Sequence, residues 1–128
     1  MWVLNKRQQA KKLLTMPMSE IMRSRPKEIA SLLESLNLRE CGRVLQRITD
    51  QKRFPMILGE LIAKGHQGSN MALNLILGGY ISQEKLIRTM PQIFPKNKKI
   101  LLKRAENVNR GPDIKRLFLK EVFFTEDH

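Results

Sequence analysis

The chain has 128 residues, 41% of them hydrophobic, and carries 24 Lys and Arg against 12 Asp and Glu, a formal net charge of +12. That length suits one domain with a core large enough to stand without staples, the apolar content is too high for a fully disordered chain, and no apolar run approaches the ~20 residues of a membrane span. So large a positive excess acts on partners rather than on fold, and it points to polyanions: nucleic acid, an anionic membrane surface or an acidic protein.

Residues 1–18 read as a basic N-terminal segment that can attach loosely to a single domain of residues 1–128, with short helices expected at Lys6–Leu14 and Ser19–Arg23. No signal-peptide apolar region precedes them, which gives an intracellular expectation, cytoplasmic or nuclear. The clearest helix runs from Pro26 to Leu36, where Ile29, Leu32, Leu33 and Leu36 fall at i, i+3, i+4, i+7. Pro26 suits a first helical turn because its missing N–H has no intrahelical partner there. Asn37 and Glu40 have the spacing of a capping box. The helix they open carries Leu38, Cys41, Val44, Leu45 and Ile48 on one side. Cys41 therefore reads as a small buried hydrophobe.

The Phe54-Pro55 step is expected to end that helix and begin another over Met56 to Lys64, stopped by Gly65. Ser69 is expected to cap a helix through Leu77, ended by Gly78-Gly79, and Ser82 one to Met90. Further helices are expected from Lys98 to about Asn109, before Gly111-Pro112, and from Asp113 to Phe124. Strand alternation and hairpin turns are nearly absent. The fold class is all-α, a compact bundle of about seven short helices with short connections.

The positive charge is patterned. Arg39, Arg43 and Arg47 recur at i, i+4, i+8, opposite the apolar side of their helix. Arginine's planar fork suits phosphate oxygens. A second cluster holds Lys96, Lys99, Lys103 and Arg104, extended by Lys98, Arg110, Lys115, Arg116 and Lys120. A third is N-terminal, from Lys6 and Arg7 to Arg25 and Lys27. Base stacking needs exposed aromatics. Trp2 is the candidate, whereas Phe54, Phe94, Phe118, Phe123 and Phe124 mostly read as packing.

Gly65-His66-Gln67-Gly68-Ser69-Asn70 offers glycines, backbone N–H groups and a helix start, so Gly65, Gly68 and Ser69 form a candidate phosphate loop, set against a plain turn between two helices. With Ile62-Ala63-Lys64 before it, the stretch resembles the glycine loop of the K-homology RNA-binding domain, though without that fold's flanking strands. Gly65, Gly68 and Ala72 resemble the turn of a helix-hairpin-helix DNA-binding motif with one residue too many between the glycines. Pro26–Leu36 with Arg43-Val44-Leu45 resembles one helical repeat of the flagellar motor-switch and magnesium-transporter N-terminal type. Gly79–Glu84, Leu101-Leu102, Arg110–Asp113 and Phe118-Leu119 resemble the second half of a caspase-recruitment domain, a helical bundle that binds its own kind. Each covers a short stretch, and none assigns a family.

Only His66 and His128 supply imidazole, and no metal-ligand spacing or nucleotide fingerprint occurs, so the chain reads as non-enzymatic, with no catalytic residue, cofactor or metal. The leading expectation is a nucleic-acid-binding protein, for RNA or non-specific DNA, using Lys and Arg on phosphates. The alternative is an interaction adaptor for an acidic protein partner. Peripheral attachment to anionic membrane through the basic N-terminal helix comes third.

Overall fold

The computed structural model describes residues 5–106. In chain order these form α1 (Lys6–Lys11) running into a 3-10 turn at Lys12–Leu14, α2 (Met18–Arg23), α3 (Pro26–Leu33), α4 (Leu38–Ile48), α5 (Phe54–Ala63), α6 (His66–Leu77), α7 (Gln83–Thr89) with a 3-10 turn at Met90–Gln92, and α8 (Pro95–Ala105). No strand occurs among the described residues. The fold is all-α, a bundle of short helices around one core, and none of the described helices is long and apolar enough to cross a membrane. The expected helix at Asp113–Phe124, the basic residues Arg110, Lys115, Arg116 and Lys120, Trp2, and the C-terminal part of the caspase-recruitment resemblance lie outside the described residues.

The centre of the bundle is α5. Its Phe54, Ile57, Leu58, Leu61 and Ile62 are fully buried, so it is apolar nearly all round, as a core helix must be. It packs on α3, α6 and α8. Burying each of those side chains contributes about 1.5–3 kcal/mol relative to exposure. Around it, Ile29, Ala30 and Leu33 of α3, Cys41, Val44, Leu45 and Ile48 of α4, and Ala72, Leu73 and Leu75 of α6 complete one continuous cluster, which also takes in Ala10 and Leu13 from the N-terminal segment.

The starts of the helices follow local chemistry. The amide of Glu40 donates to Asn37 Oδ1 at 2.8 Å and that of Asn37 to Glu40 Oε1 at 3.1 Å, closing the expected box. The Lys85 amide donates to Ser82 Oγ at 3.2 Å. Several boundaries differ from expectation, α3 ending at Leu33 rather than Leu36 among them. Helix α5 begins at Phe54 and α8 at Pro95, because a proline within the first turn starts a helix rather than delaying it. Helix α6 begins at His66, not after Ser69. Its break is made by Gly65 at φ +96, in the region that favours glycine.

The ends are held by side chains from elsewhere. A helix of six or eight residues leaves most of its C-terminal carbonyls without an internal partner. The Arg47 guanidinium donates to the Leu13 carbonyl at 2.5 Å and the Met16 carbonyl at 2.7 Å. Arg53 donates to the Met22 carbonyl at the end of α2. After α3, Arg7 donates to the Ser35 carbonyl at 3.1 Å and Gln67 to that of Glu34 at 3.3 Å. Cations at helix C-termini also meet the negative end of the dipole. Part of the arginine excess therefore fastens the bundle together.

Candidate nucleic-acid interface

Helix α8 has two faces. Asn97, Leu101 and Ala105 are buried, four residues apart, and turn inward. Lys96, Lys99 and Lys103 then fall outward, all exposed, with no carboxylate partner among the described residues. Seven residues of helix rise separate the first from the last, about 10 Å.

The N-terminal end of this row opens into a cleft of about 670 Å³ walled by α3, α5 and α8. Lys27 comes from the first turn of α3, Lys64 from the end of α5 and Lys96 from the first turn of α8. Residues far apart in sequence thus bring three lysines to the lining of one cavity. Glu34 and Glu60 share the lining, and no ion pair joins them to these lysines. Phe94, also on the lining, is 75% exposed. It precedes Pro95 and is extended, at φ −56 and ψ 138, so it stands before the helical period of α8 begins. The expectation that most phenylalanines are packing residues holds for Phe54, which is fully buried, but not for Phe94.

The arginine stripe divides. Arg39 and Arg43 are exposed, whereas Arg47 is half-buried and spent on two carbonyls. Steps of four residues turn about 40° each, because a helix has 3.6 residues per turn. The third member therefore drifts toward the packed side. Helix α4 contributes nothing to the cleft that holds Lys96.

The Gly65–Ser69 stretch is accounted for within the chain. A Cβ on Gly68 would clash with the Leu61 carbonyl oxygen, so this glycine lets α6 approach α5. Ser69 is fully buried inside α6. Its hydroxyl bonds the carbonyls of Gly65 at 2.7 Å and His66 at 3.1 Å and accepts from Arg104 Nε at 3.0 Å. The K-homology likeness lacks its strands among the described residues.

Two other features sit apart from the lysine cleft. A second cleft of about 470 Å³ lies between the end of α4 and α7, where Lys85 Nζ bridges Asp50 at 3.0 Å and Thr49 Oγ1 at 2.9 Å. Cys41 is buried, and burial pushes its thiol up to about 12, so it stays protonated at neutral pH. No cluster of metal-ligating side chains occurs among the described residues. In the sequence, Phe94 reads as packing, Lys64 only precedes the glycine stretch, and Lys27 falls with the N-terminal charges. Their signal is tertiary. Comparison of the chain with known protein families, with curated proteins and with solved structures finds no match.

Proposed function

We propose that the protein binds nucleic acid, RNA or non-specific DNA, by laying the phosphate backbone along Lys103, Lys99 and Lys96 and into the cleft of Lys64 and Lys27. The observation that carries this reading is the convergence of unpaired lysines from α3, α5 and α8 at the end of the outward row of α8. A linear row that ends in a cationic cleft suits a linear polyanion. Its neutralised phosphates release counterions and so supply affinity at low salt. The protein itself does no chemistry in this reading.

The test is an anisotropy titration of a labelled single-stranded RNA and a duplex DNA. It compares the wild type with a Lys96→Gln/Lys99→Gln/Lys103→Gln variant and with an Arg39→Ala/Arg43→Ala variant. Loss in the lysine variant and near-retention in the arginine variant supports the reading. Absence of binding at low salt overturns it and turns attention to an acidic protein partner.

A further inference from the structure

The lysine cleft contains groups that phosphate alone does not explain. Phe94 holds an aromatic ring in solvent at its edge. Asn97, only 6% exposed, lines the same cleft, and its Oδ1 is buried with no hydrogen-bond partner. That oxygen is closed to solvent and so to a ligand in the cleft; the acceptors open to one are the carboxylates of Glu34 and Glu60. Carboxylates repel a second anion, so Glu34 and Glu60 do not suit a site for phosphate or an acidic peptide alone. A ligand that uses these groups has a flat ring for Phe94, N–H donors for Glu34 and Glu60, and attached phosphate for Lys27, Lys64 and Lys96. A nucleotide has all three.

We infer that this cleft takes one unpaired nucleobase of a single strand, stacked on Phe94, with its exocyclic amine toward the Glu34 and Glu60 carboxylates and its flanking phosphates on Lys64 and Lys96. This rests on the nucleic-acid reading above and goes past it. Single strands bind in preference to duplexes, whose bases are already paired and stacked. Cytosine, with an amine at C4, binds in preference to uracil, with a carbonyl there. The row of lysines along α8 continues away from the cleft and gives the strand a path beyond the stacked base.

The experiment uses the full chain and labelled homopolymers of cytidine and of uridine, with a duplex as reference. Oligocytidine should bind about tenfold tighter than oligouridine. Phe94→Leu should weaken single-strand binding about tenfold, leave duplex binding unchanged and, being a surface change, leave the circular dichroism spectrum intact; Phe94→Trp should retain affinity. If Phe94→Leu has no effect, or the duplex binds as well as the single strand, the base subsite is overturned. In that case the phosphate reading still stands, provided the triple lysine variant loses affinity. Displacement of the oligomer by micromolar cytidine monophosphate makes this a free-nucleotide site and overturns the strand assignment. No binding of any probe overturns both readings.

Discussion

Arg104 Nε donates to the Ser69 hydroxyl at 3.0 Å, across 35 residues of sequence. This bond ties α8 to the first turn of α6 and joins two positions that sequence reasoning assigned separately to phosphate. The Ser69 hydroxyl is satisfied within the fold. Ser69→Ala should therefore cost about 1 kcal/mol in urea denaturation, and adding Arg104→Ala should cost less than the two single changes summed. Nucleic-acid affinity of Ser69→Ala should stay within about twofold of wild type. A large loss of affinity would return the glycine loop to consideration.

Arg47 and Arg43 separate structure from surface within one stripe. Arg47→Ala removes a charged fork from two carbonyls and should destabilise by about 2 kcal/mol. Arg47→Lys should recover only part of that, because an ammonium does not reproduce the planar fork. Arg43→Ala, at an exposed position, should change stability by less than about 0.5 kcal/mol. Thermal unfolding of the three variants distinguishes them.

Gly68 and Gly42 are both close approaches, of different hardness. A methyl on Gly68 meets the Leu61 carbonyl, which is backbone, whereas one on Gly42 meets the Tyr80 ring. Gly68→Ala should cost about 1–3 kcal/mol with no single side-chain rescue. Gly42→Ala should also destabilise, and combining it with Tyr80→Ala should restore part of the loss. Denaturation midpoints of the single and double variants test this.

Much of the architecture was legible because its signals are local. Asn37 with Glu40, Ser82, and Pro26 each act within one turn, and the apolar spacing of α3 and α4 predicts their buried faces except at Leu38, which is exposed. The candidate interface was only half legible. Lys96, Lys99 and Lys103 share a helical face in sequence as in structure. Lys27 and Lys64 join them only because α3 and α8 both pack on α5. Arg47 looked like its neighbours in the stripe because spacing records direction around a helix but not what stands opposite. Ser69 looked like a cap because a serine near a helix start usually is one. Here the glycine at φ +96 makes the break, and the serine bonds back to it.

Glu40 gives a pH signature. The Asn37 amide, and then Arg7, hold its carboxyl below the ordinary value of 4.5. A carboxyl depressed in the folded state stabilises above its unfolded pKa and loses that contribution as pH falls through the folded pKa. The stability gap between wild type and Glu40→Gln should be constant near neutrality. It should shrink below about pH 4.5, as thermal unfolding across an acid series would read.

The role proposed for the unpaired lysines of α8, with Lys64 and Lys27, is to take up phosphates. Its most direct measurement is the salt dependence of single-strand affinity in wild type and in the Lys96→Gln/Lys99→Gln/Lys103→Gln variant. The wild type should show log K falling with log salt at a slope of about −3.5, and the variant a slope shallower by about 2. A wild-type slope near zero, or a slope the lysine changes leave untouched, would contradict it.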